Sequence, residues 1–342
     1  MNTHSNTLRR ATIKEVAEAA GVSRSTASRA LSGTGYVAEN VRSRVRQAAK
    51  ELGYVVDATA RSLKQQSSRL IGVLVSDLRN AFYSAFAAGA AHACRSEGYT
   101  MVLLDDRGHG DEETSAAETF VALRVAGVVG TPVSATLSEY LGRHRIPLVE
   151  ADRRFSEASV SAVVVDNRAA ARATTEHLLA LGHRRIALLL DETAWTTGRE
   201  RAAGYADALR AAGHDVDPTL TVPTGWDVDA ASAASRTLLQ RDDAPTAVFA
   251  ANNLLAEGAW RAAADLGISI PDQLSLVAFD DAPWMSMVKP GITAVSQDAE
   301  AVGAAAVASL IAELRGTQRA PRTVTIPTRM IHRGSTAIAT RR

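Results

Sequence analysis

Residues 12–31 read TIKEVAEAAGVSRSTASRAL, and this run decides the fold of the N-terminal end. Thr12 and Glu15 have the spacing of a capping box, in which the threonine side chain accepts from the backbone amide three residues on and the glutamate reaches back. A helix is therefore expected to begin at Ile13, with Ile13, Val16, Ala17 and Ala20 on one face. Gly21 can turn the chain at positive φ, and Ser23 is a second N-cap that opens the helix Arg24–Leu31. Two short helices joined by Gly21-Val22-Ser23 form a helix-turn-helix, whose second helix has the size to enter a DNA major groove. Ala27 and Leu31 are expected to face inward with Val22, leaving Arg24, Ser25, Thr26, Ser28 and Arg29 outside. Arginine can reach guanine in a bidentate manner, and serine or threonine can meet phosphate or base edges.

A third helix is expected over roughly Glu39–Leu52, with Val41, Val45, Ala48, Ala49 and Leu52 at helical spacing and Arg42, Arg44, Arg46 and Lys50 outside; Gly53 closes it. The charge follows the same division. Residues 1–69 hold 12 lysines and arginines against five acids, a balance of +7, so the rest of a chain whose total is +1 carries −6. A basic head on an acidic body suits a module that meets a polyanion, because each phosphate it neutralises releases counterions.

From Leu70 onward short apolar runs alternate with amphipathic, alanine-rich segments. Strands are expected near 70–76, 100–105, 127–130, 147–151, 161–165, 185–190, 246–251 and 274–279, with helices between them. That alternation implies an α/β body of doubly wound parallel sheets covered on both faces. Ligands of such sheets bind beyond the carboxyl ends of the strands. Ser76 and Asp77, Asp105, Asp152, Asp166, Asn252 and Asp280 all stand at such ends, and together they point to a cleft.

The stretch from Ala11 to Asp77, ATIKEVAEAAGVSRSTASRALSGTGYVAENVRSRVRQAAKELGYVVDATARSLKQQSSRLIGVLVSD, resembles the head, hinge and first strand of the LacI/GalR family of bacterial repressors. The later motifs VEADRRF, GRERAAGY, TGWDVDAAS, FAANN and LVAFDDAPWM follow in that family's order and extend the resemblance over nearly the whole chain. It implies a helix-turn-helix head over 1–56, a hinge over 57–69, and a periplasmic-binding-protein-like body over 70–342. The body would have discontinuous lobes, about 70–166 with 296–325 and 167–295 with 326–342. Carried over by position, Arg24 and Ser25 would read bases, with Thr26, Ser28 and Arg29 contributing base or phosphate contacts. Thr12 and Ser23, at the helix starts, join these DNA-binding candidates. Leu63 would be wedged into the minor groove at the operator's centre, with Ala60 and Arg61 beside it. In the cleft, Asp152, Arg201, Asn252 and Asp280 would hydrogen-bond an effector and Trp226 would stack on it, with Ser76, Phe82 and Tyr83 as further wall. Polar anchors around an aromatic plate suit a sugar ring, a nucleoside or purine being the runner-up. The sequence departs from the family pattern at Val56-Asp57, where Pro-Asn is usual, at Ala81 and Ala170, where Pro and Gly are frequent, and at Asn253, where Asn-Asp is usual.

Other function classes fit less well. Hydrophobic residues make up 46% of the 342 and no long stretch is free of charge, so a membrane span is not expected. Residues Met1–Arg10 lack the apolar segment of a secretory signal, which points to the cytoplasm and against a solute-binding protein for transport. The single cysteine, Cys94, lies in an alanine-rich helical pattern and reads as core; neither a metal nor a cofactor is implied. No nucleophile elbow, zincin, P-loop or dinucleotide-binding motif is present, and His177 and His183 read as packing or capping residues, so an enzyme is not expected. A regulator with a vestigial cleft would not need so many polar strand ends. The expected unit is a homodimer on a near-palindromic operator, since the sequence closes on GSTAIATRR and no heptad helix for tetramerisation is seen.

Overall fold

The computed structural model describes residues 11–33, 35–54, 68–156, 159–191 and 193–339. The chain divides into two compact units, Met1–Ser68 and Arg69–Arg342.

In the head, α1 (Ile13–Ala19), α2 (Arg24–Ser32) and α3 (Glu39–Glu51) pack around Val16, Ala17, Ala27, Ala30, Val45, Ala48 and Ala49. Both expected caps form. The Thr12 amide donates to the Glu15 carboxylate at 2.7 Å and the Glu15 amide donates back to Thr12 Oγ1 at 3.4 Å, while Ser23 Oγ accepts from the Thr26 amide at 3.1 Å. Gly21 sits at φ +62° between the first two helices, where a side chain would be strained. The inward residues of α2 are Ala27 and Ala30, whereas Leu31 is only partly buried.

The body is built on two six-stranded sheets. The first has the order β11-β5-β4-β3-β1-β2, from β1 (Leu70–Val75), β2 (Thr100–Asp105), β3 (Gly127–Gly130), β4 (Leu148–Ala151), β5 (Ser161–Val165) and β11 (Thr323–Ile326). The second has the order β12-β10-β9-β8-β6-β7, from β6 (Ile186–Leu190), β7 (Thr221–Pro223), β8 (Ala247–Ala250), β9 (Ser275–Phe279), β10 (Thr293–Gln297) and β12 (Thr328–Ile331). All pairs are parallel except β10 with β12. The eight strands expected from apolar runs form within a residue or two of their expected places. The other four, β7, β10, β11 and β12, have no such run.

Period-two alternation sends each strand's residues to two different cores. Ile71, Val73 and Val75 of β1 join one cluster and Leu74 joins another; Ile186, Leu188 and Leu190 of β6 likewise part from Ala187 and Leu189. Central strands are therefore buried throughout, while the edge strands β2 and β7 are partly exposed. The main chain passes between sheets after β5, after β10 and after β11, the last through the single residue Pro327. The second passage follows Gln297 of β10, so Ser296 and Gln297 belong to the second sheet.

Helices α4 (Ala81–Ser96), α5 (Gly110–Leu123), α6 (Thr136–Arg143) and α11 (Ala299–Leu314) cover the first sheet, and α7 (Asn167–Ala180), α8 (Thr196–Ala211), α9 (Val228–Leu239) and α10 (Asn253–Asp265) the second. Helices α4 and α11 cross so closely that a Cβ on Gly303 would stand 2.1 Å from the Phe86 carbonyl oxygen, and one on Gly89 2.1 Å from that of Glu300. Gly303→Ala should therefore destabilise the body by about 1–3 kcal/mol, the usual cost of overpacking. Gly142→Ala, on α6 with nothing within 4 Å of the added carbon, should be neutral or slightly stabilising. Calorimetric melting of both variants checks the contrast.

Candidate functional site

On the head, α2 presents Arg24, Ser25 and Arg29 to solvent, with Thr26 and Ser28 half-buried. Thr26 is partly occupied in capping, since its hydroxyl lies 2.9 Å from Ser23 Oγ. The Arg29 Nε donates back to the Ser25 carbonyl at 3.4 Å, which folds the side chain along the helix. The most outward, unencumbered donor of the helix is Arg24. Residues Asp57–Lys64, with Ala60 and Leu63, lie outside the described residues.

In the body, the carboxyl ends of the two parallel sheets face one another. Asp152 follows β4 and Asp280 follows β9, and both take positive φ, +64° and +66°. Such a conformation in a non-glycine residue costs on the order of 1–3 kcal/mol and marks a place where surrounding structure dictates geometry. At Asp152 the reason is visible. The Arg153 amide donates to the Ala151 carbonyl at 2.6 Å, closing a three-residue turn that drives Arg153 into the interior.

Arg153 is the centre of the site, and sequence reasoning passed over it in favour of its neighbour. Its guanidinium is fully buried, stacks on Trp195 at 3.9 Å from the ring centroid, and donates through Nη2 to Ser76 Oγ at 2.5 Å and to the Tyr83 hydroxyl at 2.6 Å. Its Nε stands 3.4 Å from Asp152 Oδ2. Burial pulls its pKa down, but Tyr83, Asp152 and Asp106 outweigh that and hold it above the ordinary arginine value. Ser76 thus serves to hold Arg153. Tyr83 also donates to Asp152 Oδ2 at 3.2 Å, and burial raises its pKa well above that of a free phenol.

From the second lobe come Arg201, Asn252, Asp280 and Trp226. The Arg201 guanidinium lies 3.6 Å over the Phe279 ring, donates to Asn167 Oδ1 at 2.8 Å and to the Ala251 carbonyl, and stands 4.0 Å from Asp280. Asn252 caps α10 through its Oδ1 and donates to Asp191 Oδ2 at 3.2 Å. Gln297 donates to Asp280, whose pKa burial lifts to about 6 despite Arg201. Trp226 meets Trp195 edge-on at 5.3 Å between centroids and Tyr83 at 6.2 Å.

The lobes touch through the Arg153–Trp195 stack, the Arg154 amide donating to Thr196 Oγ1 at 3.1 Å, and Asn253 donating to Asn80 Oδ1 at 2.8 Å. Cavities flank these contacts: one of about 820 Å³ bordered by Phe82, Asn253, Asp280 and Gln297, and one of about 380 Å³ bordered by Asp152, Asn167 and Thr196. The structure therefore gathers Ser76, Phe82, Tyr83, Asp152, Arg201, Trp226, Asn252 and Asp280 in one region. Three other strand-end acids have local partners, Asp166 among them although it borders the smaller cavity. Asp77 pairs with Arg79, Asp105 accepts from the amides of Leu78 and Arg107, and Asp166 caps α7. Asp106, one residue beyond Asp105, is the one buried inside. His183 is bonded to Thr246, Ser275 and the Ala337 carbonyl, a packing role. Among the described residues no group of three or more His, Cys, Asp or Glu could hold a metal ion, and no helix is long and apolar enough to cross a membrane.

Comparison with known proteins gives this arrangement its context. Residues 12–57 match the family model for bacterial regulatory proteins of the lacI family, and residues 175–336 match that for a periplasmic binding protein-like domain. The chain is 32% identical to the HTH-type transcriptional regulator PtxS of Pseudomonas putida, over 97% of each protein. The chain belongs to the LacI family. Its relatives in that family are transcriptional regulators, among them the ribose operon repressor of Halalkalibacterium halodurans, 32% identical over 95% of this chain and 97% of that one. Among solved LacI-family structures, the Lac repressor dimer bound to operator and the anti-inducer ONPF superposes with a TM-score of 0.86 at 26% identity, over 96% of this chain and all of that one. The CelR–cellobiose complex superposes at 0.73 with 30% identity, over 95% and 100%. With its helix-turn-helix head and effector-binding-type body, the chain is a LacI-family transcriptional regulator.

One consequence concerns Asp106. Burial raises its pKa to about 7, above that of an unfolded aspartate, with the Gly108 amide and Arg153 pulling the other way. A carboxyl whose pKa rises on folding favours the folded state fully only below its unfolded pKa, and that advantage is lost as pH climbs through the folded value. The melting temperature of Asp106→Asn relative to the parent should therefore rise between pH 5 and pH 8, and a difference flat in pH would contradict the assignment.

Proposed function

We propose that this regulator is a repressor that binds a near-palindromic operator as a homodimer and is controlled by a small sugar or sugar derivative held between the lobes. The observation that carries the reading is the convergence of Asp152, Arg201, Asn252 and Asp280 with Trp226 and Tyr83 at the facing carboxyl ends of two parallel sheets. Carboxylates, a guanidinium and an amide supply paired partners for hydroxyls, and an indole takes the C–H face of a sugar ring. The cavity of about 820 Å³ beside them is of the size that small-molecule sites occupy. Solved relatives in complex with cellobiose and with bound ribose support a sugar. The Trp195–Trp226 pair would also accept a planar base, which keeps a nucleoside or purine as the second reading.

At the DNA, Arg24 and Ser25 are assigned to base edges, Thr26, Ser28 and Arg29 to bases or phosphates, and Thr12 and Ser23 to the backbone near helix N-termini. Two heads related by a two-fold axis require two half-sites, and the relative solved as a dimer on its operator supports that assembly. An effector that fits one arrangement of the lobes better than another shifts the balance between operator-competent and released states. Ala60 and Leu63 are assigned to the operator's centre by resemblance alone.

A duplex selected from a random pool by the full chain provides the test. Arg24→Ala should weaken its binding by about 1–3 kcal/mol and relax specificity at one position per half-site, and affinity should fall steeply with salt. Leu63→Ala should weaken binding across sequences. Arg201→Ala and Asp280→Asn should remove the effector response; a normal dose response in both would overturn the cleft as the effector site.

A further inference from the structure

Two buried carboxylates that the family resemblance does not assign stand on opposite sides of the interlobe region. Asp106 follows β2 in the first lobe; one oxygen accepts from the Gly108 amide at 2.8 Å, and Oδ2 has no partner. Asp191 follows β6 in the second lobe; Oδ2 accepts from Asn252, and Oδ1 has no partner. Both residues are almost completely shielded from solvent, 0% and 3% exposed. Between them lies Arg153, whose Nη1 is equally without a hydrogen-bond partner. A fold leaves buried polar atoms in this condition where something else supplies the missing bonds.

The chemistry of that missing partner is constrained from both directions. Two orphaned carboxylate oxygens require donors, and the guanidinium requires an acceptor at Nη1, its Nε having only the ion pair with Asp152. A hydroxyl offers one donor and two acceptor lone pairs, so a compound bearing several hydroxyls answers all three. Carboxylate and phosphate groups only accept, and would satisfy Arg153 while adding charge beside acids that already lack compensation. The tally of buried charge sharpens this. Asp106 faces Arg153, Glu113 and Asp105; Asp191 faces Arg201, Arg153 and Asp152; Asp280 faces Arg201, Asp152 and Asp191. Above pH 7, where Asp106 and Asp280 are ionised, two guanidiniums thus answer four central aspartates, with Glu113 close by and held by Val133 and Ser134. Asn253 adds no charge where the family usually has an acid, and donates across the cleft to Asn80.

We infer that Asp106 and Asp191 are effector-binding residues, one from each lobe, each accepting a hydrogen bond from an uncharged, hydroxyl-rich effector, and that sugar acids and sugar phosphates are excluded from this site. The inference rests on the cleft being the effector site. Burial raises the pKa of both acids, against the pull of the nearby arginines.

The test titrates the full chain, by calorimetry and thermal shift, with matched probes: ribose against ribose 5-phosphate, glucose against gluconate and glucose 6-phosphate, and cellobiose against its aldonic acid. The expected result is that a neutral sugar binds and its acid and phosphate counterparts bind at least about tenfold more weakly. Asp191→Asn and Asp106→Asn, each verified as folded by its thermal transition, should weaken the neutral sugar by about tenfold or more. An acid or phosphate that binds as tightly as its neutral parent overturns the charge assignment, and if Arg201→Ala abolishes that binding the cleft itself stands. Parental affinity for the neutral sugar in both aspartate variants removes these two residues from the site. Binding of no probe, neutral or anionic, counts against the inference and the sugar reading together.

Discussion

A parallel sheet covered by helices on both faces has only its strand ends to offer solvent, and everything functional in this body follows from that constraint. Strands β1, β6, β8 and β9 are buried almost from end to end, so a polar side chain within them must find a protein partner, as Ser275 finds His183. Polar residues are displaced to the first positions beyond the strands. Two sheets joined by three passages of the main chain turn those ends toward one another, and Asp106, Asp152, Asp191 and Asp280 come from four different strands to one region.

Bringing charges together out of water is costly unless they are paired, and the pairing here is uneven. Arg153 is held by Ser76, Tyr83 and Asp152 on its own lobe and by the face of Trp195 from the other. Arg201 is held by Asn167, the Ala251 carbonyl and Asp280. The two guanidiniums are thereby fixed before any ligand arrives, which suits recognition that relies on preorganised donors. The strained backbone at Asp152 and Asp280 belongs to the same arrangement, since each aspartate ends its strand by a turn that points the next residue along a defined direction.

Much of this was legible in the chain. Caps at Thr12 and Ser23 announce the head because they act over three residues and need no tertiary partner. Long apolar runs announce the eight major strands. What escaped was information carried by partners distant in sequence. Strands β11 and β12 are short and half-exposed and exist because β5 and β10 offer them edges. Arg153 was hidden because a strand-end rule selects Asp152, and only the positive φ there reveals that the next residue turns inward. Trp195 lies in a loop without periodicity. Asp105 and Asp106 are adjacent acids, and no local property distinguishes the one that ties a surface turn from the one that faces Arg153. Leu31 does pack against the head core, as its spacing from Ala27 suggests, but only in part, and the fully buried Ala30 beside it carries no size to signal its place.

The hydrogen bond from Asn253 to Asn80 joins the first turn of a helix in one lobe to the N-cap of a helix in the other. Asn80 Oδ1 already accepts from the Phe82 amide, so it can receive a donor but cannot give one, and an acid at 253 would meet it oxygen to oxygen. The amide therefore gives the lobes a reason to approach that owes nothing to a ligand. A protein that holds part of its closing energy in its own side chains spends less of the ligand's affinity on domain movement, and its ligand must enter and leave through whatever opening thermal motion provides.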